Sequence, residues 1–312
     1  MSRSNPKNPV SIIDRCAGLN IVVDPLQPPE DAWTLTSDLA KAVDVVISDS
    51  FIAERAYGHA PLAAVTTGHS LFCDGGDCLL AQGTTLYQVG TDFSLRSVKT
   101  GMSGRRLDCD QYGTAIYIAN GTAADQCIFQ DGATWPWMTD EYNAGETFRH
   151  FEGTVPIFDH IENFNGFMLG AIGNCLYGSE LGRFGLWNMK EPIMLPSRIL
   201  MIKRVQSGVF VSDEQSVYFF KGTEPRSFSV GPPLSPYPAV EWSDCIDYIN
   251  GTEVMGLGLP GMCAIWQSKE GLCLGTADGQ IYNLIRKKII TPDNGQAGAS
   301  LLRGFTVIST LR

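Results

Sequence analysis

The sequence predicts an all-β fold, a β-propeller of about six blades (five to seven) with an extended N-terminal arm. Three observations lead there. The first is turn chemistry. Asn120-Gly121, Asn165-Gly166, Asn250-Gly251, Asn294-Gly295, Asp74-Gly75, Asp131-Gly132 and Asp278-Gly279 all carry dipeptides suited to the positive φ angles of tight type I′ hairpins. The second is periodicity. Apolar and polar residues alternate in runs of four to eight bounded by Gly, Asn or Asp, the spacing of half-buried strands. One stretch, residues 36–43, reads as a short helix opened by a cap at Thr36 or Ser37. The third is a weak repeat.

Each repeat unit has an apolar strand, a turn, and a second strand. The units are VDVVISDSFI from Val43, CLLAQGTTLYQV from Cys78, TAIYIANGTA from Thr114, FMLGAIGNCLYGS from Phe167, GVFVSDEQSVYFF from Gly208 and GLCLGTADGQIYNL from Gly271. Four of them place a tyrosine after the turn: Tyr87, Tyr177, Tyr218 and Tyr282. Their spacing averages near the roughly 40–50 residues of a four-stranded blade. The long interval before Gly271 leaves room for a further blade. Because an open ring leaves unpaired edges, the strand-like GFTVISTL from Gly304 is expected to close the ring with the N-terminal side. Residues 36–312 are thus read as one propeller domain closed by both chain ends. Residues 1–35, with Pro25, Pro28 and Pro29, are read as an extended arm suited to lie on a neighbouring subunit.

Composition supports a large core: 44% of the residues are hydrophobic and 18% charged, with 33 Gly and 17 Pro among the 312. The formal net charge of −10 argues against tight nucleic-acid binding, which needs cations to displace counterions from phosphate. It is compatible with DNA moving past an acidic wall. No apolar run is long enough to span a membrane, and MSRSNPKNPV lacks the apolar core of a signal peptide. The nine cysteines never fall in C-x-x-C spacing and several sit in apolar runs, so all nine are expected to be reduced.

Motifs for chemistry come close and fail. GLGLPG (Gly256, Gly258, Gly261) matches the dinucleotide fingerprint, but a strand-like MCAIWQ follows where a helix must open. DCDQYG (Asp108, Asp110, Gly113) resembles the opening of a calcium loop, yet Tyr112 stands at the third ligand position and no Glu follows at the required offset. DGATW from Asp131 is one residue short of the Asp-box turn of sialidase-like propellers, a structural feature. The four histidines, His59, His69, His150 and His160, form no metal-binding pair. Asp140, Glu141, Glu146 and Glu152 could serve a glycosidase only if two of them met across a cleft. The sequons at Asn120 and Asn250 have meaning only on a secretory route. No catalytic, cofactor-binding or metal-ligating set results, and no cofactor is expected. The aromatic group Trp135, Trp137 and Tyr142 is the candidate surface contact.

The opening GLNIVVDPLQPPEDAW and LAKAVDVVISDSFIAERAYG resembles the start of propeller-like virion proteins of bacteriophage tail modules, with residues 18–20, Pro25, 42–46, Arg55 and Gly58 in matching places. NCLYGSELGRFGLWNM from Asn174, SGVFVSDEQSVYFFKGTEPRSFS from Ser207 and GLCLGTADGQIYNL from Gly271 are similar to blades of that family. The sequence departs from the pattern at residues 47–49 and 53–55, where a more basic strand is usual, and at Leu181, where the family has Pro. The resemblance implies a non-enzymatic structural protein, localised in the virion tail and made in the host bacterial cytoplasm. Its role would be in the nozzle or tail tip, as a ring of copies that contacts other tail or connector proteins and stands close to DNA. Two rivals remain: a receptor- or glycan-binding module at the tail tip or fibre attachment point, and a glycan-cleaving enzyme.

Overall fold

In a computed structural model, the structure describes residues 65, 67–74, 76–138, 155–249, 261–268 and 271–283, together with the strand paths at 16–19, 37–39, 45–47, 53–55, 151–152, 298–303 and 306–311. The chain separates into two compact units. The first takes Met1–Pro61 and Ile285–Thr291, the second Leu62–Leu284 and Pro292–Arg312. In the first unit, β1 (Cys16–Leu19) pairs in parallel with β2 (Ser37–Leu39), and β3 (Val45–Ile47) pairs antiparallel with β4 (Ala53–Arg55). Ser37–Leu39 is therefore a strand where a helix was expected. Eight residues are too few for a helix to repay its nucleation, and pairing with β1 supplies the backbone bonds instead. Of residues 1–35, only Cys16–Leu19 is described; the rest of the expected arm lies outside the described residues.

The second unit is a five-bladed β-propeller. Blade 1 consists of β5 (Gly68–Asp74), β6 (Asp77–Gln82), β7 (Thr85–Val89) and β8 (Leu95–Thr100). Blade 2 consists of β9 (Asp108–Tyr112), β10 (Ala115–Ala119), β11 (Cys127–Gln130) and β12 (Ala133–Pro136). In blade 3, β13 (Phe151–Glu152) lies outermost, ahead of β14 (His160–Phe164), β15 (Phe167–Ile172), β16 (Cys175–Glu180) and β17 (Arg183–Asn188), and β18 (Ile193–Met194) adds to the edge of β16. Blade 4 is β19 (Ile199–Val205), β20 (Gly208–Asp213), β21 (Val217–Lys221) and β22 (Ser229–Val230); blade 5 is β23 (Cys245–Ile249), β24 (Gly261–Ser268), β25 (Gly271–Gly275) and β26 (Ile281–Asn283). A terminal hairpin joins β27 (Gly298–Arg303) to β28 (Thr306–Leu311). No α-helix occurs among the described residues.

Five of the six sequence repeats fall within blades. Tyr87 in β7, Tyr177 in β16 and Tyr218 in β21 stand in the third strand counted from the axis, whereas the repeat from Gly271 begins at the third strand and places Tyr282 in β26, the fourth strand of blade 5. The repeat from Val43 is the two-stranded β3–β4 pair instead. The long interval before Gly271 holds no additional blade. It is spanned by β22, the connection 231–244, and the paired strands β23 and β24, which meet at Ile249 and Gly261. Turn chemistry is obeyed most closely at Asp131-Gly132 and Asn165-Gly166, where both residues of a two-residue hairpin have positive φ (51° and 76°; 51° and 81°). Asn120-Gly121 instead ends β10: the Asn120 side chain accepts from the Thr122 N–H at 3.1 Å and donates to Asp125 at 2.6 Å.

Each neighbouring pair of blades encloses its own apolar layer. Leu79, Leu86, Ile116 and Phe129 fill the space between blades 1 and 2. Trp137, Phe158, Ile161 and Trp187 lie between blades 2 and 3, and Leu169, Val209, Val211 and Phe220 between 3 and 4. Phe210, Phe219, Ala264 and Trp266 lie between 4 and 5. Gly170 is required here: a Cβ would stand 2.4 Å from the Phe158 ring.

The expectation of nine free thiols is overturned at one pair. Cys73 and Cys78 face each other across the β5–β6 hairpin, Cα atoms 4.1 Å apart, and form a disulfide. The hairpin that pairs Asp74 with Asp77 brings together cysteines five residues apart, a route that spacing motifs do not capture. Cys109, Cys127, Cys175, Cys245, Cys263 and Cys273 are free thiols. Denatured without reductant, the chain should therefore titrate two thiols fewer than its nine cysteines. Full reactivity of all nine would refute the bridge.

Candidate functional site: the charged axis of the propeller

The first strand of each blade is an edge of its sheet, and these strands adjoin: β5 by β9, β9 by β14, β14 by β19, β19 by β23. Side chains alternate along a strand, so i and i+2 share a face. On β9 that rule sends Cys109, like Leu107 just before the strand, to the apolar layer with blade 1, and Asp108 and Asp110 toward blade 3. Both carboxylates accept backbone N–H groups of β14: Asp108 from Ile161 at 3.1 Å, Asp110 from Asn163. On β14 the same rule turns His160 and Glu162 toward blade 4, where Glu162 accepts the Arg204 N–H at 3.1 Å. A hydroxyl does the same one step earlier, Ser70 of β5 accepting from the Leu107 N–H at 2.8 Å. The acceptors from one blade thus satisfy edge donors of the next.

The carboxylates are also ion-paired. Glu162, fully buried, binds Lys203 Nζ at 2.9 Å and Arg204 Nη1 at 3.0 Å. Arg204 Nη1 also reaches Asp110 at 2.5 Å and the Asn163 carbonyl at 2.9 Å, and Lys203 Nζ binds Asp244 at 3.0 Å. His160, also buried, lies between Asp108 (Nδ1, 3.2 Å) and Glu241 (Nε2, 3.3 Å). Arg198 clasps both oxygens of Glu241 at 2.7 and 3.1 Å and approaches Glu214 at 3.5 Å. Trp242, in the left-handed region at φ 67°, lays its ring against His160 with centroids 4.5 Å apart. A bulky residue at positive φ persists only where its surroundings hold it.

Electrostatics follow from burial and partners. Burial pushes the Glu162 carboxyl up to about 7 against the pull of Lys203, and raises Asp110 against Arg204. Burial also works against a charged His160, but the hydrogen bonds and charges of Asp108 and Glu241 outweigh it and raise the imidazolium to about 9. Glu241 responds in the opposite sense: burial opposes its charge, yet His160 and Arg198 hold it at about 2. Lys203 is raised despite burial by Glu162 and Asp244. An imidazolium clamped on both nitrogens and titrating near 9 is poorly matched to general-base work at neutral pH. Among the described residues no three His, Cys, Asp or Glu side chains converge as a metal-ligand set.

The residues singled out from sequence are dispersed. Trp135 is 59% exposed on the outer strand β12. Trp137 is a core residue, not a surface one: it is 8% exposed, its indole N–H donates to the Phe184 carbonyl at 3.0 Å, and its ring meets Tyr117 edge-on. Strand alternation would put positions 135 and 137 on one face, but Trp137 lies just past the end of β12 (Ala133–Pro136), where the strand rule no longer holds. Tyr142, with Asp140, Glu141 and Glu146, lies outside the described residues, as does the side chain of Glu152. Asp108 and Asp110 belong to the axial network rather than a calcium loop. The members missed from sequence were Glu162, Arg198, Lys203, Arg204, Glu214, Glu241 and Asp244. For Glu162, Lys203 and Arg204 the signal was charge inside apolar strands, as in HIENF and ILMIKRV.

Two outcomes follow from this geometry. Lys203→Met should cost about 3–5 kcal/mol in urea denaturation, because it strands buried carboxylates, and Glu162→Gln added to it should recover part of the loss. The pH response is the second. His160, raised from 6.5 to about 9, contributes stability fully present below pH 6.5 and lost as pH climbs to 9; at about 1.4 kcal/mol per unit this is about 3 kcal/mol. Glu162, raised from 4.5 to about 7, likewise weakens the fold as pH rises through that interval, whereas Glu241 withdraws its contribution only as pH falls from 4.5 towards 2. Stability should peak in mild acid and decline toward pH 9, and His160→Gln should flatten the decline above 6.5. Unchanged alkaline slopes in that variant would count against the clamp.

No family model matches the chain, and no curated protein matches it. Solved structures do resemble it. The computationally designed Ika8 protein is 8% identical with a TM-score of 0.45 over 78% of this chain and 68% of that one. The N-terminal domain of Nup159 is 10% identical, TM-score 0.45, over 78% and 72%. Virginiamycin B lyase from Staphylococcus aureus is 10% identical, TM-score 0.44, over 80% and 86%. At such identities none of their activities transfers to this chain.

Proposed function

We propose that this chain is a non-enzymatic structural subunit of a bacteriophage tail, part of the nozzle or tail tip, that holds neighbouring tail proteins. One observation carries the reading beside the sequence resemblance. The densest polar constellation among the described residues binds blade to blade, its charges spent on one another and on backbone N–H groups. Such an axis serves rigidity. Contacts then fall to the outer surface, where Trp135, Met138, Leu181 and Met194 are all more than half exposed. The glycan-binding alternative drew on Trp135, Trp137 and Tyr142 acting together, and the burial of Trp137 removes one of the three from the surface.

The reading also bears on DNA. At the axis His160, Arg198, Lys203 and Arg204 are ion-paired with the carboxylates, which leaves less free acidity there to face a DNA path. Purified particles produced by the genome that encodes this chain should contain it in a fixed multiple of the tail symmetry. Disrupting its gene should leave incomplete tails under the electron microscope. Complete, infectious particles lacking the chain would sink the proposal.

A further inference from the structure

The outer edge of blade 3 changes partner midway. β18 pairs with Cys175 and Leu176 of β16, and β17 pairs with Ser179 and Glu180. Tyr177 and Gly178 lie at the changeover, and there a cleft of about 510 Å³ opens between blade 3 and the 3₁₀ turn Pro225–Ser227 that follows blade 4's third strand. Gly178 is what lets the turn approach: a Cβ there would stand 2.6 Å from Pro225. Phe167, Leu176, Ile193 and Phe228 form apolar walls. Glu180, Glu191 and Glu224 line it as well, against Arg226 as the one cation in the lining. The apolar surface reaches the mouth, with Leu181 in the lining 56% exposed.

We propose that this cleft is a docking site for an extended, basic segment of a partner protein, an aliphatic side chain seated between Phe167, Ile193 and Phe228 and flanking Lys or Arg side chains meeting Glu180, Glu191 and Glu224. Two features select this occupant. The excess of carboxylates over Arg226 complements positive charge and disfavours an acidic one. The exposed Leu181 carries the apolar surface out to the mouth of the cleft, which suits a chain running through the site better than a small molecule enclosed in it. The inference deepens the contact role proposed above but does not depend on which particle the chain belongs to, since purified protein suffices to test it.

The test uses the full chain and two capped synthetic peptides, GRLRIKG and its charge-inverted twin GELEIEG, titrated by calorimetry at low and high salt. The basic peptide should bind saturably and weaken with salt, and the acidic twin should bind at least about tenfold more weakly. The doubly reversed variant Glu180→Lys/Glu224→Lys should lose at least about tenfold for the basic peptide and gain for the acidic one, and Leu181→Ser should weaken binding with little effect on the salt slope. All three positions are at the surface, and circular dichroism checks that the variants remain folded. Absence of saturable binding up to about 1 mM, equal binding of the twins, or indifference to the charge reversal overturns the proposal. Self-association of the chain that the same charge reversal abolishes would make the occupant a second copy and overturn the separate partner. None of these outcomes depends on particle composition, so failure here and failure of the tail assignment are told apart.

Discussion

A propeller brings the first strand of every blade to the axis, and each such strand is a sheet edge whose outward N–H groups have no strand to pair with. Buried donors of this kind need acceptors. In this chain the acceptors come from the preceding blade: Ser70 for Leu107, Asp108 for Ile161, Asp110 for Asn163 and Glu162 for Arg204. The choice of carboxylates has a consequence. Buried carboxylates in turn need cations, and Lys203, Arg204, His160 and Arg198 supply them. Edge satisfaction therefore fixes the charge pattern of the centre.

That arrangement divides labour between polar and apolar contacts. The four apolar layers provide the burial that offsets chain entropy, but layers of Leu, Val and Phe tolerate sliding and repacking. The ion pairs do not, because a displaced blade would leave a desolvated charge without its partner. Register between blades is thus set at the axis and stability is supplied outside it. Trp242 belongs to the same logic, its positive φ retained where the ring caps His160 and the following Asp244 reaches Lys203.

For function, the division leaves the axis occupied with its own bonds and the periphery free to vary. The blade 3 edge illustrates it: the handover from β18 to β17 along one strand, together with Gly178, opens a cleft without disturbing the inner strands. A rigid hub with adaptable outer edges is what a subunit that grips several neighbours requires.

Local chemistry was legible in the sequence where it acts over a few residues. Asp131-Gly132 and Asn165-Gly166 could be read as tight hairpins because their positive φ angles are a property of two adjacent residues. The tyrosines at 87, 177 and 218 marked third strands because blades repeat one short pattern, which blade 5 shifts by one strand, to Tyr282 in its fourth. The Cys73–Cys78 bridge was hidden only by a search for the wrong spacing, since the hairpin turn between them was already visible. The blade count of five, the burial of Trp137 and the axial network were decided by tertiary structure. His160 meets Asp108 and Glu241 across 52 and 81 residues of sequence, and Arg204 meets Asp110 across 94. No periodicity links such positions; the packing of successive blades about the axis brings them together, and the low polarity of the interior then turns their proximity into binding energy.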